Sequence, residues 1–384
     1  MTALALLFLL STGLLLVGGI IYAEGVKRSA LVVRGPRRTF GVWVRGLLNS
    51  RVVLAAVEPH QGIGHPGILG LWWPEGYGRL GRVEGVVGLE VTRSFEHLVG
   101  EPPPLCPQGP LENCPPVDIE AYAYPSDPSD AGLGFEEVTY ETPLGPMGAW
   151  KVAAAGDRWA LHVHGWTAER REAIRLLPVL HEEGMTSMVI DYRNDPGAPR
   201  DPTGLYRFGL TEWEDVEAAV RYALDHGAED LVLVGYSTGA AHIMSFLERS
   251  DLAPSVRGLV FDAPNISIVE AIRFGSRGVT YPGTPIRIGR VVQEVGLWIA
   301  DVRWKVDWDT TNYVERATTI IKVPTLVFHG TADRRIPLSV SRRLQALSPD
   351  RVQLVVTPAA GHVMSWNADP ERYERYLRGF LGSI

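Results

Sequence analysis

The segment Gly235-Tyr236-Ser237-Thr238-Gly239 constrains the fold most, because it follows an apolar run at residues 231–234 and precedes a helix-like segment. This order predicts a β-strand, a sharp turn and a helix, with Ser237 at the apex. A serine at such a strained turn leaves no room for side chains two residues before or after it, which explains the two glycines. We therefore expect an exposed hydroxyl beside a helix N-terminus, where free backbone N–H groups favour negative charge.

Two residues farther along the chain are candidate partners for Ser237. His362 follows a strand predicted over residues 352–356, and Asp333 follows a strand predicted over residues 324–328. Both then lie at the carboxyl ends of strands, where an open parallel sheet binds its ligands. In such a set the histidine can take the serine proton, while the aspartate orients the imidazole.

Four segments resemble the α/β-hydrolase superfamily in their type and chain order. They are His162-Val163-His164-Gly165-Trp166, the elbow around Ser237, the Asp333 loop and Gly361-His362. The resemblance covers residues 135–384, and four motifs in the right order are stronger evidence than any one. Within the superfamily, the chain is similar to bacterial serine hydrolases of the serine aminopeptidase-like or esterase-like branch.

The resemblance implies an α/β-hydrolase fold, with a mostly parallel central sheet flanked by helices and a small lid. It implies a serine hydrolase that cleaves carboxylic esters through an acyl-enzyme, with lipid-like esters as the favoured substrates and Ser237, Asp333 and His362 as catalytic residues. The backbone N–H groups of Trp166 and Thr238 would form the oxyanion hole. Peptidase, amidase and thioesterase activities remain open, since they use the same triad. A non-catalytic scaffold protein with the same fold is a further alternative.

Other aspartates could serve as the acid. Asp262 follows the next strand after the elbow, and Asp301 and Asp309 lie farther along. We prefer Asp333, because its Gly-Thr-Ala-Asp loop matches the family pattern, whereas Asp262 more simply caps a turn.

Metal and cofactor sites have weak support. His162 and His164 alternate on a strand and share a face, but no third ligand lies nearby in the sequence, so we interpret His164 as structural, hydrogen-bonded beneath the oxyanion loop. Gly76-Tyr77-Gly78 lacks the strand–turn–helix setting of a dinucleotide site, and there is no phosphate-binding loop with its lysine. We expect neither metal nor cofactor.

Strands and helices alternate through residues 135–384, which favours a parallel sheet with helices on both faces. Thr211 and Glu214 predict a capping box that opens an amphipathic helix ending at Gly227. Residues 266–315 interrupt the alternation and are rich in apolar side chains and arginine. We interpret them either as a lid with an apolar wall for an acyl chain or as ordinary packing helices.

Residues 3–23 form an uninterrupted uncharged stretch, long enough to cross a bilayer as a helix at ~1.5 Å per residue. A cleaved signal peptide is the alternative. The N-terminus lacks lysine and arginine, and Ile21-Tyr22-Ala23 lacks the small residue expected two positions before a cleavage-site alanine. We expect a single-pass transmembrane anchor over residues 1–28.

Two features give opposite indications for the side of the membrane on which the hydrolase lies. Basic residues crowd after the apolar stretch and favour the cytoplasmic side, which we prefer. They are Lys27, Arg28, Arg34, Arg37, Arg38 and Arg45. A disulfide between Cys106 and Cys114 would instead indicate an exported domain.

Residues 29–98 carry short β-like apolar runs, the first starting at Phe40, with a hairpin turn at Asn49-Ser50. We expect a small β-rich domain there, for which a barrel is one candidate form, followed by a Pro-rich linker or brace over residues 99–134. The net charge of -7 and a pI near 5.8 provide no broad basic field for nucleic acid. The sequence does not indicate an oligomeric state.

Overall fold

The computed structural model of the chain describes residues 3–33, 41–56 and 62–384, with side chains from residue 8 onward in the first range. The first element is helix α1 (Ala3–Val26), which continues as a π-helical segment over Lys27–Leu31. Within the described residues, the stretch Phe8–Leu31 is the one helix long and apolar enough to cross a membrane. Its first part is exposed, whereas Tyr22 and the apolar residues that follow it are buried against the rest of the protein.

Six antiparallel strands follow, in the spatial order β1-β2-β5-β4-β3-β6. They are β1 (Val42–Leu48), β2 (Arg51–Ala56), β3 (Leu69–Trp73), β4 (Gly76–Val87), β5 (Glu90–Gly100) and β6 (Asp118–Glu120). The amide of Val117 donates to the carbonyl of Val42 at 2.8 Å, so the two edges of the sheet meet as in a barrel. The turn at Asn49 is confirmed, and Phe40 lies outside the described residues.

The Pro-rich segment lies against this sheet. Cys106 and Cys114 form a disulfide, and the Cys106 amide donates to the Val44 carbonyl at 2.8 Å. The segment is therefore attached to β1 along its length.

An eight-stranded sheet has the order β14-β13-β12-β11-β9-β10-β8-β7, parallel except for the pairs that β8 makes. Its strands are β7 (Glu136–Thr142), β8 (Gly145–Val152), β9 (Arg158–Val163), β10 (Thr186–Ile190), β11 (Asp230–Tyr236), β12 (Val256–Asp262), β13 (Thr325–Gly330) and β14 (Val352–Thr357). The predicted parallel sheet is thus confirmed.

Helices cover both faces of the eight-stranded sheet. The helices after β9 are α2 (Leu177–Glu182), α3 (Trp213–Asp225), α4 (Gly239–Arg249), α5 (Ile268–Gly275), α6 (Arg290–Trp304), α7 (Ala317–Ile320), α8 (Leu338–Leu347), α9 (Ser365–Ala368) and α10 (Pro370–Leu381). Of these, α5 and α6 pack with α1 instead of covering the sheet. One apolar layer includes α3, α4 and α8, and the other includes α2 and α10. Such burial on both faces explains why the strands are apolar throughout.

The predicted capping box before α3 is wrong. The Thr211 hydroxyl donates to Asp201 at 2.9 Å, and Glu214 accepts from Arg193 at 2.8 Å. Both side chains have distant partners that the local pattern does not reveal.

Helix α1 packs along α6, which lies between β12 and β13 within residues 266–315. Glycines allow the close approach: a methyl group on Gly19 would come within 2.6 Å of Val295, and one on Gly296 within 2.6 Å of Tyr22. Beyond this glycine contact, the last turns of α1 join a buried apolar cluster that includes Phe208 and residues of α5 and α6.

Candidate active site

The elbow between β11 and α4 has the expected geometry. Ser237 has φ 49°, which is the left-handed conformation that non-glycine residues rarely adopt. A Cβ on Gly239 would lie 2.0 Å from the Val163 carbonyl oxygen, and one on Gly235 would lie 2.9 Å from Ala240. Glycine is therefore needed at both positions for the strand, turn and helix to pack this tightly.

The structure brings Ser237, His362 and Asp333 together from the ends of three strands. His362 Nε2 lies 2.8 Å from Ser237 Oγ, and His362 Nδ1 lies 2.7 Å from Asp333 Oδ2. With Nδ1–H donating to the carboxylate, Nε2 is free to accept the serine proton. This arrangement can activate a hydroxyl for attack on a carbonyl.

Asp333 is held as a carboxylate. Burial alone would raise its pKa, but hydrogen bonds from His329 and His362 hold the pKa of this carboxyl well below its usual range. Its second oxygen accepts from the backbone amides of Arg335 at 2.8 Å and Ile336 at 2.9 Å. The position of His329 four residues before Asp333 was visible in the sequence, but its role was missed.

The alternative acids lie elsewhere. Asp262 is buried beneath the elbow, and neither of its carboxylate oxygens has a hydrogen-bond partner among the described residues. Burial raises the pKa of Asp262 to about 7. Asp301 accepts from the backbone amide of Asp307 at 2.7 Å and so caps the turn after α6.

Trp166 and Thr238, the residues expected to form the oxyanion hole through their backbone amides, both line the cavity at Ser237. Within the described part of the chain, neither amide donates to another protein atom. Gly165 approaches closely, since a Cβ there would lie 3.1 Å from the Ser237 Cβ. Its amide donates to buried Glu172 at 2.9 Å, a positioning contact that sequence reasoning missed.

His164 lies beneath this loop, as expected. Its Nε2 is 2.8 Å from Asp195, and its Nδ1 is 3.0 Å from the Gly165 carbonyl oxygen. Burial opposes protonation, but the charge of Asp195 prevails and raises the pKa of His164 to about 9.

His162 and His164 have separate hydrogen-bond partners, and their pKa values shift in opposite directions. Burial lowers the pKa of His162 to about 3, and its Nδ1 lies 3.1 Å from the Tyr236 hydroxyl. In the described ranges, the group with metal-type donors is His164, Asp191 and Asp195. These donors already have protein partners, because His164 binds Asp195 and Asp191 forms an ion pair with Arg170 at 3.1 Å.

A cavity of about 1700 Å³ opens at Ser237 and His362. Three parts of the chain line it besides the eight-stranded sheet: α1, the α5–α6 region and the β-rich region. Apolar lining residues from these parts include Ile21, Val26, Ile63, Val91, Ile268, Ile272 and Ile288. The walls from α1 and the β-rich region could not be found from the sequence, because no local pattern reports such contacts.

The comparisons with known proteins support the fold described above. The model of the alpha/beta hydrolase family matches residues 160–375. The uncharacterized protein YfhR of Salmonella typhimurium is 24% identical over 283 residues, which cover 69% of this chain and 86% of that protein. The uncharacterized protein Rv2307c of Mycobacterium tuberculosis is 25% identical over 233 residues, covering 59% and 72%.

A solved structure shares the fold. The esterase Pf2001 of Pyrococcus furiosus superposes with a TM-score of 0.53 at 20% identity, covering 67% of this chain and 96% of that one. The predicted fold class is confirmed, and hydrolase activity is supported at the level of the family. Because the family match extends over more than half of its length, this chain belongs to the α/β hydrolase family.

Proposed function

We propose that this protein is a membrane-anchored serine hydrolase that cleaves carboxylic esters through an acyl-enzyme intermediate. The observation that carries the proposal is the continuous chain of hydrogen bonds from Ser237 through His362 to Asp333, which opens into the cavity. A scaffold protein would have no need for this chain.

In the first half of the reaction, His362 Nε2 takes the Ser237 proton while Oγ bonds to the substrate carbonyl carbon. The oxyanion accepts from the amides of Trp166 and Thr238. Loss of one such donor typically costs on the order of 100-fold to 1000-fold in turnover. His362 then gives its proton to the leaving alcohol as the ester C–O bond breaks.

In the second half, water attacks the acyl-enzyme. His362 takes a proton from the water as the new C–O bond forms, and returns it to Ser237 Oγ as the acid leaves. Asp333 stabilises the imidazolium in both halves.

Apolar acyl groups fit the cavity best, because aliphatic side chains from three regions form its walls. Burial of the last turns of α1 supports a retained helix, since cleavage near Ala23 would remove Tyr22 from the cluster it joins. The exposed apolar part of α1 supports a membrane anchor at residues 3–23.

A fluorophosphonate probe tests the proposal. We expect covalent labelling of the full chain that Ser237→Ala abolishes, with parallel loss of p-nitrophenyl butyrate hydrolysis. Absence of labelling in folded protein would favour a scaffold. A panel of esters, thioesters and aminoacyl anilides then ranks the substrates, and faster turnover of an anilide would overturn the ester assignment.

A further inference from the structure

We propose that the cavity opens at the membrane surface, so that the acyl chain enters from the bilayer between α1 and an apolar rim. The rim consists of the β4–β5 turn, residues 86–89, and the α5–α6 loop, residues 279–288. This inference rests on the proposed esterase function and adds the route by which the substrate arrives.

Helix α1 connects the membrane to the cavity without a linker. Phe8, Leu10 and Leu14 are exposed on its first part, as a lipid-facing helix requires. Ile21 and Val26, about two and three turns beyond Leu14, line the cavity that holds Ser237. At ~1.5 Å per residue, the step from Leu14 to Ile21 is only about 10 Å, so the cavity begins where the apolar surface ends.

The α5–α6 loop lies at the depth of the apolar part of α1. A methyl group on Gly18 would come within 2.8 Å of the Tyr281 hydroxyl, which places this loop beside a residue of the membrane-spanning stretch. Tyrosine is enriched at membrane interfaces, where its hydroxyl meets water and headgroups. Ile286 in the same loop is 62% exposed, and Val279 lines the cavity.

The β4–β5 turn is the second exposed apolar segment of the cavity lining. Val86 and Leu89 line the cavity that Ile21 also lines, and Val87 is 80% exposed. Exposed aliphatic side chains on both segments of the rim, continuous with an apolar helix, match a lipid surface. Nearby Arg287 and Arg290 would meet anionic headgroups.

Site-specific fluorescence tests where the rim lies. The chain has only two cysteines, and both are in the disulfide, so Val87→Cys can carry a single NBD label. Leu48→Cys is the matched control: it is 70% exposed beside the β1–β2 turn, and this turn lies at the end of β2 away from the β4–β5 turn. In phosphatidylcholine vesicles we expect doxyl lipids to quench the label at residue 87 and not at residue 48. Equal, absent or reversed quenching would overturn the proposed rim.

Kinetics test whether the rim admits substrate. Val87→Asp with Ile286→Asp places charge on both segments of the rim, at positions that do not line the cavity. We expect hydrolysis of p-nitrophenyl palmitate in vesicles to fall about tenfold. Hydrolysis of p-nitrophenyl butyrate in water should be unchanged, and Leu48→Asp should alter neither rate.

The two proposals fail differently. If the unaltered protein hydrolyses neither ester, the esterase proposal is wrong, and quenching at residue 87 still decides whether the rim meets lipid. If it hydrolyses both esters and the aspartate variant retains full activity in vesicles, the entry route is wrong while the esterase proposal stands.

Discussion

The backbone amide of Gly361 donates a 3.0 Å hydrogen bond to Nε2 of His65, which joins the β-rich region to the residue before His362. His65 can accept because its Nδ1 donates to the Pro66 carbonyl at 2.6 Å. The loop itself is held by fully buried Arg93, whose guanidinium donates to the carbonyls of Ile63 and His65. The small domain therefore supports the loop that carries the proposed base.

We expect His65→Ala to lower kcat for p-nitrophenyl butyrate about tenfold with little change in KM, because small shifts of a catalytic group are costly. His65→Gln, whose amide oxygen can accept from Gly361, should recover most of the rate. His97→Ala, in the same domain but away from the cavity, is the control. Equal kcat in all variants would mean that the contact has no part in catalysis.

Asp333 and Asp262 can be separated by their amide variants. Asp333→Asn should lower kcat by roughly 10⁴-fold, since the amide favours the wrong histidine tautomer. Asp262 makes no hydrogen bond to His362, so Asp262→Asn should change kcat by less than about tenfold. Steady-state kinetics on a soluble ester measure both, and the reverse order would reassign the acid.

The raised pKa of Asp262 predicts that the free energy of unfolding depends on pH. Its pKa is raised by burial to about 7, against about 4 in an unfolded chain. Below pH 4 the carboxyl is protonated in both states. Between pH 4 and 7 only the unfolded state releases the proton, so the contribution of this group to stability is lost as pH rises.

Asp262→Asn removes this titration. We expect the free energy of unfolding of the variant, relative to the natural protein, to rise with pH by up to roughly 1.4 kcal/mol per unit, and to level off above pH 7. Urea titrations from pH 4.5 to 8.5 measure the difference. A constant difference would mean that Asp262 is charged in the folded protein, with the charge of Arg175 as the main compensation for its burial.

Local patterns predicted the elbow, Asp333 and His362 because each depends on residues within one strand and the loop after it. Gly235 and Gly239 exclude side chains for reasons set by the turn itself. In contrast, β6 is only three residues long and exists because it pairs with β3. Such pairing, like the contact from His65 to Gly361, joins distant parts of the chain and has no local signature.

The contact between α1 and α6 depends on glycines. Gly296→Leu would place atoms against Tyr22 and the Gly19 carbonyl, and overpacking of this kind costs ~1–3 kcal/mol. Gly13→Leu is the matched control on α1, since nothing lies within 4 Å of a Cβ there. We expect a lower midpoint of thermal unfolding in nanodiscs for Gly296→Leu alone. Equal loss in both variants would instead indicate a general effect of leucine.

The disulfide gives an indication of the side of the membrane on which the catalytic domain lies. Disulfides persist in oxidising compartments, and Cys106–Cys114 joins the Pro-rich segment into a loop on β1. The basic residues that favour the cytoplasmic side are partly engaged in the fold: Lys27 lies over the Trp304 ring, and Arg45 donates to the Cys106 carbonyl at 2.9 Å. Arg34, Arg37 and Arg38 lie outside the described residues, so the cytoplasmic side preferred from the charge pattern is untested, and the disulfide favours the opposite side.

The disulfide leads us to expect the catalytic domain on the exported side, where protease added to intact spheroplasts would digest it. Cys106 and Cys114 should react with a maleimide only after reduction, because the protein has no other cysteine. A cytoplasmic reporter protein checks that the spheroplasts are sealed. Protection from protease until permeabilisation, together with free thiols in freshly lysed cells, would return the domain to the cytoplasmic side that the charge pattern favours.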